Sequence, residues 1–428
     1  MIALFSLSVA LIMGLLFSRL VKPLKLPAVT GYLVAGIVAG PYVLGRLGVP
    51  GLGFPTMEDV KSFDIICQVA LGFIAFAIGN EFRLSQLRQT GRAATVVAFV
   101  QALAATLFVD AALIGLHYVI PDKLPLSDAI VLGAIATATA PAATLMVVRQ
   151  YKAKGELTSM LLPIVALDDA IGLMVFAVSF GIARAMISGS FSLISILAEP
   201  IIEVVVSLAL GALMGALLTL LERAFHSGSK RLSLCITFVL LTVALSMLEF
   251  DVGGIHVGFS SLLVCMMLGT VFCNLCDFSA DLMERSDKWT APLFVLFFVL
   301  SGAELELSVF SDLSIVGIGL VYILFRSLGK CAGAGAGCSL MHCSPNVTKY
   351  LGITLLPQAG VALGMSLTAA QTLGSAGALI RNIALFSVLI YELVGPLLTK
   401  IALTRAGDIS PRQTGDVETA TETEDEEE

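Results

Sequence analysis

Residues 157–186 read LTSMLLPIVALDDAIGLMVFAVSFGIARAM. A helix needs about 20 mainly apolar residues to cross a bilayer, and this run satisfies that length while carrying two adjacent aspartates, Asp168 and Asp169, at its middle. An ionisable side chain at that depth costs on the order of 3 kcal/mol or more, which marks a functional position. Neighbouring residues of a helix point about 100° apart, so one carboxylate can face an aqueous cavity while the other reaches sideways to a partner. Two adjoining carboxyls titrate as a coupled unit. A carboxylate able to hold either a proton or a metal cation is the chemical basis of exchange.

Working outward, apolar runs separated by short polar loops fill the chain from Met1 to about Leu403. The 428 residues are 57% hydrophobic and 13% charged, against roughly 25% charged in a soluble domain. Hydropathy predicts about 13 spans, at 2–21, 28–45, 63–82, 92–119, 127–149, 157–186, 193–222, 231–249, 256–274, 289–308, 313–342, 347–372 and 376–403. The first is read as a span rather than a signal peptide, because no basic residue precedes it and no small-residue cleavage pattern follows. Basic residues test the count independently: 18 fall on odd connections and the C-terminus, five on even connections. The positive-inside rule then puts the N-terminus outside and the C-terminus in the cytoplasm, and the cell (inner) membrane is the expected location. Residues 408–428 hold nine of the 32 acids and one of the 25 basic residues. The formal charge of -7 therefore belongs to a short acidic tail, and a nucleic-acid partner has no basic footprint.

Two spans contain helix breakers: the fifth at Pro141, after Thr137-Ala138-Thr139-Ala140, and the twelfth at Pro357 and Gly360. Proline frees a carbonyl that lipid cannot satisfy, and paired interruptions point to a transporter of inverted repeats, here spans two to six and nine to thirteen. Thr137, Thr139, Thr144 and Gln358 offer uncharged oxygens beside these breaks, although threonines also bond their own helices. Arg326 and Lys330 lie inside the eleventh span. Arg326 is the expected counter-charge to Asp168, leaving Asp169 as principal ion ligand, and Lys330 is a secondary candidate able to snorkel. Glu392, Asp110 and Glu203 are further acids within spans; Glu304 and Glu306 close the tenth. His226 is the histidine best placed as a loop pH sensor. The eight cysteines show no disulfide framework, and Cys273-x-x-Cys276 lacks a second pair for a metal. No catalytic residue and no cofactor are expected.

Four ordered segments carry a resemblance: Pro27 with Gly31-Tyr32-Leu33-Val34-Ala35-Gly36 and Gly40-Pro41; Gly79-Asn80-Glu81-Phe82; Leu167-Asp168-Asp169-Ala170; and Leu356-Pro357-Gln358-Ala359-Gly360-Val361-Ala362. The chain resembles the monovalent cation:proton antiporter-2 family and its sodium/proton antiporter relatives. The resemblance implies an all-α membrane protein with two broken crossing helices, working as a homodimer by elevator movement. Its exchanger domain would cover 1–406, with a dimerisation part about 1–91 and 223–310, a core part about 92–186 and 311–404, and a disordered cytoplasmic tail at 407–428. It implies that Asp168 pairs with a basic residue, that Asp169 binds the ion, and that Arg326, preceding Ser327-Leu328-Gly329, inherits the basic role. Many electrogenic members have lysine there, and some relatives have aspartate where Ala140 stands; Thr139 and backbone would then supply ligation. The implied activity is exchange of Na+ or Li+, with K+ a further candidate, for H+. The alternative is a sodium-coupled symporter or a channel on the same architecture.

Overall fold

A computed structural model describes residues 2–21, 23, 28–49, 51–140, 144, 147–148, 151–187, 199–225, 227–248, 250–252, 255–305 and 313–409. Its helices, in chain order, are α1 Ile2–Val21, α2 Ala28–Ala39, α3 Met57–Lys61, α4 Asp64–Glu81, α5 Leu84–His117, α6 Leu126–Ile135, α7 Glu156–Ile187, α8 Glu199–Glu222, α9 Gly228–Ser246, α10 Ser261–Leu275, α11 Ser279–Ala303, α12 Leu313–Leu340, α13 Pro345–Thr354, α14 Gly360–Thr372 and α15 Ser375–Ala406. Among the described residues, six helical segments are long and apolar enough to cross a membrane: Ala3–Val21, Gly91–His117, Ile202–Glu222, Gly228–Ser246, Leu313–Leu340 and Gly377–Ala406. Leu4, Phe5, Leu16 and Leu20 of α1 are exposed, as a lipid-facing helix requires.

Three details differ from the expected spans. The chain is not wholly helical: Phe250–Val252 and Ile255–Val257 pair as a small antiparallel hairpin, where β-branched and aromatic residues flank Gly253-Gly254. Helix α11 begins ten residues before its expected span at 289, because Arg285–Asp281 and Lys288–Glu284 pairs, one turn apart, solvate its first turns. The chain stays packed just past 407, where the tail is expected to begin. Asp408 is buried, and its carboxylate accepts from the Thr158 amide and hydroxyl, both at 2.7 Å, at the start of α7. Residues 410–428 lie outside the described residues.

The helices pack as two sets, one of α1, α2, α4, α8, α9, α10 and α11, the other of α5, α6, α7, α12, α13, α14 and α15. The closest seam of the second set is α5 against α12. Gly329, Gly333 and Gly337 recur every four residues on one face of α12, and a Cβ at Gly333 would lie 2.7 Å from the Gln101 Cα. Small residues let the backbones meet this closely. The seam fixes how far α12 is slid along α5, and hence where Arg326 and Lys330 point.

Two elements are interrupted as the breakers demand. Helix α6 stops at Ile135, and Ala140 precedes Pro141, whose ring disfavours helical backbone at the residue before it. Helix α13 stops at Thr354, and α14 starts only at Gly360, beyond Pro357. Pro141 itself lies outside the described residues.

Candidate functional site

The two interruptions meet. The Ala140 amide donates to the Pro357 carbonyl at 2.8 Å, and the Thr144 hydroxyl donates to the Thr354 carbonyl at 3.2 Å. Breaking both helices here frees carbonyls that need donors. Arg326 supplies three: Nε to Ala136 O at 3.0 Å, Nη2 to Ala138 O at 2.6 Å and Nη1 to Leu356 O at 2.7 Å. Its guanidinium also lies 4.4 Å from the centre of the Tyr391 ring, a cation–π contact. Gln358 braces the same crossing: its amide nitrogen donates to Ile135 O at 3.0 Å and Tyr322 Oη at 3.1 Å, and its oxygen accepts from Ser387 at 3.0 Å.

Asp168 comes to this crossing from α7 and is fully buried. Its Oδ2 accepts from the Lys330 ammonium at 2.7 Å and from the Thr139 hydroxyl. Its Oδ1 accepts from the Gln101 amide of α5. Lys330 Nζ also donates to the Thr137 carbonyl and to Thr139 Oγ1, the latter at 2.9 Å. An ammonium is thus held by a carboxylate, a hydroxyl and a backbone carbonyl, all in a fully buried place. Those are the oxygen donors a hard monovalent cation takes, and an interrupted helix is where a membrane protein can present them.

A family model described as "Sodium/hydrogen exchanger, transmembrane" matches residues 7–405. The chain belongs to that family. It is therefore an integral membrane protein of a sodium/hydrogen exchanger family, and cation/proton antiport is the activity that membership supports. The fold is similar to that of the sodium proton antiporter MjNhaP1 from Methanocaldococcus jannaschii at pH 8, with a TM-score of 0.70 and 20% identity over 94% of this chain and 98% of that one. An electron-microscopy structure of MjNhaP1 aligns with a TM-score of 0.65 and 18% identity, over 96% of this chain and 95% of the other. No curated protein matches the chain at a significant level.

Within this exchanger-family chain, the expected roles redistribute. Lys330, not Arg326, is the cation on Asp168, because Arg326 is consumed by the carbonyls that the broken helices release. The Ser327-Leu328-Gly329 pattern is therefore followed, rather than preceded, by the residue that meets the carboxylate. The Thr139 hydroxyl lies in the cage, whereas the Thr137 hydroxyl bonds its own helix at Ala134 O, 2.7 Å away, and only its carbonyl reaches Lys330. Gln358 is a brace with both amide ends occupied, not a spare oxygen. Glu392 is buried apart from the cage, with the Thr30 hydroxyl of α2 3.5 Å from its Oε2. The Asp169 side chain, Glu306 and His226 lie outside the described residues. Glu304 is not a free surface acid; it accepts from Arg381 at 2.8 Å. Among the described residues no group of three histidine, cysteine or acidic side chains could hold a metal. Gln101 escaped the sequence reading, although a glutamine amid the apolar run of α5 was a visible signal.

Proposed function

We propose that the chain is a secondary active antiporter exchanging a monovalent cation, Na+ or Li+ with K+ a further candidate, for H+. The observation that carries this reading is the buried cage around the Lys330 ammonium. An incoming cation needs the same Asp168, Thr139 and Thr137 oxygens, so cation and ammonium cannot share them. Lysine can surrender its proton when a like charge arrives, whereas arginine stays charged; the arginine of this site is kept for structure. Asp169, adjacent on α7, is assigned the principal ligand role by resemblance, with Asp168 as its partner.

Elevator movement is the transport route in this reading, with the set containing α5, α6, α7 and α12 to α15 as the mobile core and the other set as the dimerisation part of a homodimer. Two features support it. A cleft of about 760 Å³ separates the sets, running between Tyr32 and Phe298 on one side and Ala140, Ala359 and Gly360 on the other, with Asp287 on its wall. Glu304, seventeen residues beyond Asp287 and so about 25 Å further along α11, is tied across the sets to Arg381, and Gln68 to Gln371 at 3.0 Å. Side chains bridge the sets at one end, where a smaller cavity of about 380 Å³ remains, and the larger cleft parts them at the other, the asymmetry alternating access needs. The basic-residue bias supports a cytoplasmic Asp287 end, and 13 crossings with inverted repeats are the topology that goes with this reading.

The test uses purified protein in acid-loaded liposomes carrying a lumenal pH dye, with membrane potential clamped. External Na+, Li+ or K+ is expected to alkalinise the lumen, and Asp168→Asn or Asp169→Asn to abolish the response. Wild-type protein that moves no protons with any of the three would overturn the assignment.

A further inference from the structure

Gln101 has a use that the antiport reading leaves unassigned. The residue is fully buried on α5. Its Nε2 spends its hydrogens on Asp168 Oδ1 and on the Ala98 carbonyl of its own helix, the latter at 3.1 Å. Its Oε1 is buried and accepts no hydrogen bond. The amide cannot turn over to relieve this, because Oε1 would then face two oxygens that only accept. Nor can the residue back away, since α12 presses against its Cα at Gly333. A buried carbonyl oxygen without a partner, one amide group's width from the Asp168 carboxylate, is a group that a bound cation would satisfy.

We propose that Gln101 is a specificity-determining residue of the exchange site: Nε2 orients Asp168, and Oε1 becomes an oxygen ligand of the dehydrated monovalent cation. The inference rests on the antiport reading and names a ligand within it. Lys330 and Thr139 approach Asp168 at Oδ2, whereas Gln101 approaches at Oδ1. A cation that takes the ammonium's place on the Asp168 carboxylate, spanning Oδ1 as well as Oδ2, therefore also receives Oε1, an oxygen that the ammonium cage does not use. Selectivity among monovalent cations depends on the number and field strength of such oxygens. Li+ and Na+, with small radii and tightly held water, lose more than K+ when one is removed.

The test measures KM and kcat for Na+, Li+ and K+ in the same liposomes, for wild type, Gln101→Met and Gln101→Glu. Methionine keeps the length and removes the oxygen. The Met variant is expected to raise KM for Na+ and Li+ by about tenfold, within the range known for groups supporting a metal site, and KM for K+ by much less. The Glu variant keeps an oxygen while losing the Nε2 donor, so it lowers kcat but shifts the KM ratios less than Met. Unchanged Li+:Na+:K+ KM ratios in Gln101→Met, whatever happens to kcat, would show a residue that only holds Asp168 and overturn the proposal. If the Met variant does not fold, Gln101→Asn, which withdraws the carbonyl by one methylene, is read by the same ratios. Wild-type protein without exchange would remove the antiport reading itself, an outcome distinct from exchange with unaltered ratios.

Discussion

At the scale of single residues, Arg326 and Lys330 divide work that one of them was expected to do. They lie one turn apart on the same face of α12, and both are fully buried. Arg326 presents a planar fork with five donors, suited to several carbonyls at once, whereas an ammonium is a compact charge suited to a small cage. Arg326→Ala leaves the Ala136, Ala138 and Leu356 carbonyls without this donor, at about 1–3 kcal/mol for each buried group that stays unsatisfied. It is expected to lower the thermal unfolding temperature in detergent more than it raises the KM for Na+; a variant that melts like wild type would contradict the bracing role. Lys330→Ala removes the competing ammonium instead. Its expected mark is a weaker pH dependence of the Na+ KM, read from exchange rates across pH. In wild type, proton and cation compete for one site, so the Na+ KM should rise as pH falls, by at most about tenfold per unit for a single competing proton. A KM that stays flat through an acid titration would argue against competition.

At the scale of elements, the α5–α12 seam decides whether the site assembles. Gly333→Leu would drive a side chain into the Gln101 Cα, 2.7 Å from where its Cβ would start, and the Ala104 Cβ at 2.6 Å. Overpacking of this kind costs roughly 1–3 kcal/mol, and here the displacement falls on the residues beside Asp168. Loss of exchange together with a lower unfolding temperature is the expected result. Gly335 is the internal control, since the nearest atom to a Cβ there is the Thr348 carbonyl oxygen at 3.7 Å. Gly335→Ala should melt no lower than wild type, because alanine is favoured over glycine in a helix interior by about 1 kcal/mol. A run of three glycines at alternate positions, 333, 335 and 337, does not reveal which of them meet a neighbour. The four-residue spacing that includes Gly329 does, once the partner helix is known.

At the scale of the whole molecule, the proposed movement of one helix set past the other has a direct test. Gln68 and Gln371 join the sets at the bridged end through a 3.0 Å side-chain hydrogen bond. In a background cleared of the eight cysteines, Gln68→Cys with Gln371→Cys can be joined by a short bifunctional thiol reagent. Exchange should stop on cross-linking and return on reductive release; transport that continues across the link would count against elevator movement. The membrane class, the approximate limits of the helices and the two interruptions were legible in the sequence, because hydropathy, the backbone restrictions of proline and the loop charges act locally. The burial of Asp168 was legible for the same reason. The partner of Asp168 was not. Arg326 and Lys330 occupy the same helix face, and which of them meets the carboxylate depends on how far α12 slides along α5, on where the two broken helices cross, and on which carbonyls that crossing frees. Those are distances between segments far apart in the chain, and only packing in three dimensions sets them.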